Sequence, residues 1–199
     1  MRTKQIFVGT LGIFLLSLLS ISCSKKAATA ADATDCDPNA KGTYFSITQF
    51  GRDQFSLYRG EPYSFIKTTV TDSKKDTVIE NIYNVNWAFI FKTFFESDIS
   101  NRKFLCHYNF SQFDDDVTKT RNYYYEAKDP GLFTRKLIIS TNPESNKVIS
   151  VYVETEKKTT LTFQSQKLLY QPLKVIQIQK FEKNIGKNPV NEVIQYNFM

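Results

Sequence analysis

Cys106 and His107 are neighbours in the chain, and a thiol beside an imidazole is the pair that a cysteine nucleophile and its base require. The alternating apolar pattern predicts a strand from Phe104 to Phe110, on which adjacent side chains point to opposite faces. The two groups are therefore predicted not to meet. Because His107 is the only histidine of the chain, centres that need two imidazoles from it are excluded. We predict no catalytic residue and no enzyme.

Three consecutive acids, Asp114, Asp115 and Asp116, have the residue type of a cation site. If Asp114 began a calcium loop, Lys119 would occupy position 6, which needs glycine, and Tyr125 would occupy position 12, which needs glutamate. The acids are therefore interpreted as a solvated turn, and neither a metal nor a cofactor is predicted. Paired carboxylates that hydrolyse a sugar chain stay open as an alternative, because the fold sets their separation.

Tyr123, Tyr124 and Tyr125 form a run of three tyrosines. On a strand Tyr123 and Tyr125 share one face, while Tyr124 takes the other. A ring that reaches solvent can stack on a sugar or contact a partner, so this run is the candidate ligand or partner surface. The competing interpretation is ordinary sheet packing, since tyrosine is favoured in strands.

The elements that position these residues follow from hydrophobic periodicity. Most of the chain after residue 42 alternates apolar and polar residues, and turns rich in Gly, Pro, Asn and Asp separate the alternating runs. Such short connections favour neighbouring antiparallel strands. The strands predicted in the first part are 43–50, 53–59, 63–71 and 76–83, and six or seven more are predicted after residue 98.

One segment has helical periodicity instead. Its apolar residues are spaced i, i+3, i+4, i+7 and i+8: Trp87, Ile90, Phe91, Phe94 and Phe95. Asn86 precedes them as the expected N-cap. We predict a mainly β (α+β) fold in which a curved antiparallel meander sheet packs on this single amphipathic helix, at about 86–98. Residues 42–199 are expected to form one β-rich globular domain, with a split near residue 84 as the alternative.

The N-terminus has the layout of a secretory signal peptide over residues 1–22. Arg2 and Lys4 precede an apolar stretch from Ile6 to Ile21, which is shorter than the ~20 residues that a membrane-spanning helix needs. The residues that follow, up to about 41, carry small and charged side chains that cannot form a core. We interpret them as a flexible tether.

The segment Leu19-Ser20-Ile21-Ser22-Cys23 resembles the lipobox of bacterial lipoproteins. The resemblance implies cleavage after residue 22 and acylation of Cys23 with fatty acids such as palmitate, so that residues 23–41 tether the domain to a membrane. Ser24-Lys25-Lys26 differs from the signals that retain lipoproteins in the inner membrane or export them to the surface. It favours the periplasmic face of the outer membrane.

Cys36 and Cys106 are the two cysteines that remain after Cys23. In an oxidising compartment two thiols allow one disulfide, which would join the tether to the domain. Two free thiols are the alternative, because the sequence does not show whether the Cα atoms come within ~7 Å.

The formal net charge of +6 is scattered along the chain, so no nucleic-acid partner is predicted. The membrane is the expected partner through Cys23, and an envelope protein or a glycan is the second. We therefore predict a lipid-anchored envelope protein that acts as a non-catalytic binding or assembly module. A carboxylate-based hydrolase acting on envelope or glycan substrates is the alternative.

We expect Cys23→Ala to abolish processing and membrane association, because acylation needs the cysteine thiol and the acyl chains supply the anchor. Immunoblots of soluble and membrane fractions measure both. The predicted anchor would be wrong if processing and fractionation were unchanged in the variant and in cells treated with an inhibitor of lipoprotein signal peptidase.

Overall fold

The computed structural model describes residues 44–199, which form nine strands and two α-helices. The helices are α1 (Ile47–Tyr58) and α2 (Trp87–Phe95), and a 3₁₀ turn spans Arg102–Phe104. The strands are β1 (Ser64–Thr71), β2 (Lys74–Asn81), β3 (Tyr108–Asp115), β4 (Thr120–Ala127), β5 (Thr134–Thr141), β6 (Val148–Lys158), β7 (Thr162–Gln171), β8 (Val175–Asn184) and β9 (Val190–Phe198).

All nine strands belong to one open antiparallel sheet with the order β2-β1-β9-β8-β7-β6-β5-β4-β3. The last seven strands follow one another as a meander, because each pairs with the next along the chain. The β1–β2 hairpin is added beside β9, which leaves β2 and β3 as the edges. The predicted antiparallel meander is therefore confirmed.

The two faces of the sheet differ in polarity, as the alternation of the strands requires. Directly opposed residues of the inner face include Ile194, Ile178, Leu168, Val153, Leu137 and Tyr125, all of which are buried. The matching row of the outer face is more polar and half-buried: Gln195, Gln177, Leu169, Tyr152, Ile138 and Tyr124. The helices cover the inner face.

Helix α2 forms as the sequence predicts, although it is shorter than the predicted segment. Asn86 is its N-cap and accepts a hydrogen bond from the backbone N–H of Phe89. The rings of Trp87, Phe91 and Phe95 stack along one side of the helix, with centroids 5.5 Å and 5.4 Å apart. This row of rings, which we call the aromatic stack, faces α1 through Phe55.

The predictions of strands at 43–50 and 53–59 are wrong, because helix α1 spans Ile47–Tyr58. Ser46 caps the helix by accepting a hydrogen bond from the backbone N–H of Gln49. The stripe that α1 turns to the molecule includes Gly51 and Gln54. Neither residue has an apolar side chain, and glycine is typical of a turn. The apolar residues of this segment therefore do not display the spacing of an amphipathic helix.

Gly51 lies at a close contact between the two helices. A Cβ atom built at this position would lie 2.7 Å from Cε1 of Phe95, which is closer than real Cβ contacts. Glycine therefore allows α1 to lie against the aromatic stack.

The prediction of a strand from Phe104 to Phe110 is also wrong for the residues before Tyr108. Phe104 ends the 3₁₀ turn, and Cys106 has a left-handed φ of 74°, so the extended strand begins only at Tyr108. The rings of Phe104 and Tyr108 pack edge to face with centroids 6.3 Å apart. Their apolar character reflects this local contact rather than the alternation of a strand.

We expect Gly51→Val to lower the free energy of unfolding by about 1–3 kcal/mol, because the added side chain overpacks the contact with Phe95. Ser56→Val is the matched control, since it places the same β-branched residue on α1 at an exposed position. Denaturant unfolding compares the two variants. Helix propensity alone favours valine over glycine, so a loss for Gly51→Val no larger than that for Ser56→Val would contradict the close approach of the helices as its cause.

Candidate functional site

A small cavity lies between the helices and the centre of the inner face. Its volume is about 30 Å³. Its walls come from α1, from α2 with the aromatic stack, and from Val151, Tyr170 and Ile176 on three neighbouring strands. The lining is almost entirely apolar and contains no charged side chain. This lining is typical of small-molecule sites, but such sites measure about 300–1,000 Å³, so the cavity would have to enlarge to hold a ligand.

The polar groups of the lining meet at one place, which we call the tyrosine–glutamine cluster: Gln54, Tyr58 and Tyr170. The Tyr58 hydroxyl donates to Gln54 Oε1 at 2.9 Å, and the Tyr170 hydroxyl donates to the same oxygen at 3.2 Å. The two hydroxyls are also hydrogen-bonded to each other. The cluster therefore joins the C-terminal half of α1 to strand β7.

Burial controls the ionisation of both phenols of the cluster. Burial raises the pKa of Tyr58, and it outweighs the opposing hydrogen bonds from Tyr170 and from the backbone of Leu173. Burial also raises the pKa of Tyr170, and the hydrogen bond to Tyr58 adds to the effect. Both groups thus stay protonated at neutral pH and keep a hydrogen to donate.

A second polar contact holds the N-terminal end of α1. Asp98 Oδ2 accepts hydrogen bonds from Ser46 Oγ at 3.0 Å and from the backbone N–H of Thr48 at 2.8 Å. Asp98 Oδ1 accepts the backbone N–H of Ser100 at 2.8 Å. Burial alone would raise the pKa of Asp98, but the hydrogen bonds from Thr48 and Ser100 outweigh it and hold the pKa below its usual value. Helix α1 is therefore fixed by polar contacts near both ends.

The tyrosine run is divided between the faces, as its alternation predicts. Tyr125 is buried on the inner face, where its ring contacts those of Tyr44 and Phe110. Tyr123 lies on the same face and is half-buried, whereas Tyr124 lies on the outer face. The three rings do not form one continuous surface. Their use as a ligand or partner surface stays a prediction, centred on Tyr124.

Two of the three cysteines discussed above lie outside the described residues. This applies to Cys23, the predicted site of acylation, and to Cys36, so the disulfide with Cys106 stays a prediction. Cys106 itself is half-buried in the loop before β3. Among residues 44–199 no hydrogen bond joins Cys106 to His107. The strand that was the reason for expecting these side chains to lie apart does not form at these two positions.

Asp114 and Asp115 are the last residues of β3, and Asp116 begins the turn to β4, so only part of the predicted acidic turn is a turn. Asp114 receives two hydrogen bonds from the Arg121 guanidinium, at 2.8 Å and 3.0 Å, which lower the pKa of its carboxyl. Asp115 accepts the backbone N–H groups of Val117 and Thr118 and also has a lowered pKa. A general acid for sugar hydrolysis needs the opposite shift, so these two carboxyls are unsuited to that role.

Sequence reasoning missed the tyrosine–glutamine cluster, Gln54, Tyr58 and Tyr170, and it also missed Asp98, which holds the N-terminal end of α1. A signal for the first two exists, because their i, i+4 spacing places them together on a helix. That signal becomes readable only when the segment is assigned as helical. Asp98 and Tyr170 have no such signal, since they join α1 through contacts far apart in the sequence.

Comparisons with known proteins add no family to these observations: no protein-family model, curated protein or solved structure matches the chain. In the part of the chain that the structure describes, no helix is long and apolar enough to cross a membrane. Among residues 44–199, no group of three or more His, Cys, Asp or Glu side chains is placed to hold a metal ion. The description of the site therefore depends on its geometry.

We expect Asp98→Asn to lower the free energy of unfolding by about 1–3 kcal/mol at pH 7, because an ionised acceptor of three hydrogen bonds is lost. The folded-state pKa of Asp98 is lowered, so its contribution is complete above the unfolded-state pKa and disappears as the pH falls through the folded-state pKa. The difference from the unsubstituted chain should therefore shrink between about pH 5 and pH 2.

Asp116→Asn is the control for this experiment, because Asp116 is exposed in the β3–β4 turn. Denaturant unfolding across the pH range gives both comparisons. If the two variants lost equal stability with the same pH dependence, Asp98 would have no special role in holding α1.

Proposed function

We propose that this protein is a non-catalytic binding module of the bacterial envelope, whose ligand is an apolar molecule held between the helices and the inner face. The observation that carries the proposal is the cavity itself, with aromatic and aliphatic walls and one polar corner. Apolar surface binds apolar groups by removing both from water, and a few polar groups then fix the orientation of the ligand.

The size of the cavity requires a movable cover. At about 30 Å³ it has room for little more than a water molecule or two, so a chain-like ligand needs space that helix α1 now fills. Polar contacts hold α1 near its ends, at Asp98 and at Tyr170. Water can replace such hydrogen bonds at a low net cost, and the ligand would replace the apolar contacts that the helix gives up. Helix α1 is thus the element that we expect to move.

The predicted anchor agrees with this function. Acylation of Cys23 would hold the domain beside a membrane, which is the main source of apolar molecules in an envelope. The expected location is the periplasmic face of the outer membrane. The outer face of the sheet, with Tyr124 and its polar neighbours, stays available for an envelope protein or a glycan.

The hydrolase alternative has less support. Among the described residues, the carboxyl groups with a shifted pKa are those of Asp98, Asp114 and Asp115, and all three are shifted downward. None of the three lines the cavity.

We expect Val151→Leu to weaken the binding of an apolar ligand about tenfold, because the added methylene occupies space that the ligand needs. Val151 is 1% exposed and lines the cavity. Trp87 is the only tryptophan of the chain and lines the same cavity, so its fluorescence reports on binding directly. Quenching of this fluorescence by methyl 9,10-dibromostearate, corrected with methyl stearate, gives the affinity.

Val153→Leu is the matched control. Val153 lies two residues along the same strand, points to the same face and is fully buried, but it does not line the cavity. Overpacking at Val153 should cost stability, about 1–3 kcal/mol, while the folded protein keeps its affinity. Equal affinities for the unsubstituted chain and Val151→Leu, or an absence of bromine quenching of Trp87, would contradict the proposed site.

A further inference from the structure

The charges around the cavity restrict the head group that a ligand can carry. Among the described residues no lysine or arginine lines the cavity, and Lys67 and Lys180, two lysines of the inner face, each have a partner. Lys67 forms an ion pair with Glu80 at 2.9 Å, and Lys180 lies over the ring of Phe89, 4.3 Å from its centroid. Neither lysine lines the cavity. A carboxylate or phosphate beside the tyrosine–glutamine cluster would therefore be buried without a cation, which is strongly unfavourable.

The hydrogen bonds of the cluster restrict the head group further. Gln54 Oε1 accepts from both Tyr58 and Tyr170, and the two hydroxyls also contact each other. Each hydroxyl has one hydrogen, so two hydrogens serve three oxygen–oxygen contacts. The raised pKa values keep both hydrogens in place at neutral pH, and neither phenol becomes a stronger acceptor by ionising. The three oxygens of the cluster carry six lone pairs, and the two hydroxyl hydrogens occupy only two of them, so a donating head group complements the cluster. Gln54 Nε2 is a further donor, and the oxygen of the same hydroxyl head group can accept from it.

The walls beside the cluster suit the remainder of such a ligand. The aromatic stack of α2 forms one continuous apolar wall, and Val151 and Ile176 belong to the sheet on the other side. Only a very small cavity separates the two walls. A single chain that separates α1 from the sheet disturbs this packing less than two chains or a broad ring system.

We propose that the ligand is an uncharged single-chain lipid with a hydroxyl head group, such as a long-chain alcohol, and that its hydroxyl donates a hydrogen bond to the tyrosine–glutamine cluster. This inference rests on the proposed function, since it names the ligand class of the same cavity. Gln54 and Tyr58 move with α1, whereas Tyr170 belongs to strand β7, so the Tyr170 oxygen is the part of the cluster that stays in place to accept from the ligand hydroxyl.

The test compares three probes with the same brominated chain and different head groups: 9,10-dibromostearyl alcohol, methyl 9,10-dibromostearate and 9,10-dibromostearate. Each is titrated into the full chain at pH 8, and quenching of Trp87 fluorescence gives its affinity. We expect the alcohol to bind about tenfold more tightly than the ester, because the ester offers no donor. The difference between the alcohol and the carboxylate should be larger, because the carboxylate would be buried as a charge.

Tyr170→Phe should reduce the preference for the alcohol over the ester to about twofold or less, because one oxygen of the cluster is removed. Tyr152→Phe is the matched control. Its hydroxyl donates to Glu154 at 2.7 Å on the outer face, so the preference should be retained. Circular dichroism establishes that both variants are folded. If Tyr170→Phe fails to fold, the three probes on the unsubstituted chain still decide the question.

The outcomes separate the inference from the function on which it rests. Equal affinities for alcohol and ester, or tighter binding of the carboxylate, would overturn the hydroxyl head group while leaving an apolar site. Retention of the full alcohol preference in folded Tyr170→Phe would overturn the role of the cluster. If none of the three probes quenched Trp87, both the inference and the proposed function would be wrong.

Discussion

An open antiparallel sheet with one apolar face requires a cover, and the structure depends on how this requirement is met. Buried side chains run across the inner face from β1 to β4, and water must be kept from them. Two helices of 12 and nine residues supply the cover. Both are too short to be stable alone, so their stability comes from the face that they bury. The sheet and its helices therefore form as one cooperative unit.

The helices cover the sheet in different ways. Helix α2 packs through large apolar residues, including Ile90 and Phe94, which are 2% and 6% exposed. Helix α1 presents Gly51 and Phe55 to α2 and Gln54 to the cavity, and Ile47 and Tyr58 near its ends are buried. Its ends are held by hydrogen bonds. Helix α1 thus supplies polar groups of the cavity, whereas α2 supplies aromatic and aliphatic side chains.

The edges and the outer face are protected by their chemistry instead. Most of strand β2 is exposed, and it begins with Lys74, Lys75 and Asp76, whose charges oppose the pairing of another strand with this edge. On the outer face, Tyr152 donates to Glu154, and Lys136 lies near the Tyr124 ring, 5.8 Å from its centroid. These interactions make this part of the outer face more polar than the inner face.

The sequence by itself determined the elements with a clear period: helix α2, the meander from β3 to β9, and the opposite faces of Tyr124 and Tyr125. These features depend on local spacing, which the chain displays directly. It did not reveal α1, because a close helix contact selected glycine and a polar cluster selected glutamine where a helix pattern needs apolar residues. Only the tertiary structure decided the site, since Asp98 and Tyr170 meet α1 across 50 and more residues of chain. Contacts over such separations leave no period in a sequence, and the cavity between them is a property of the assembled layers.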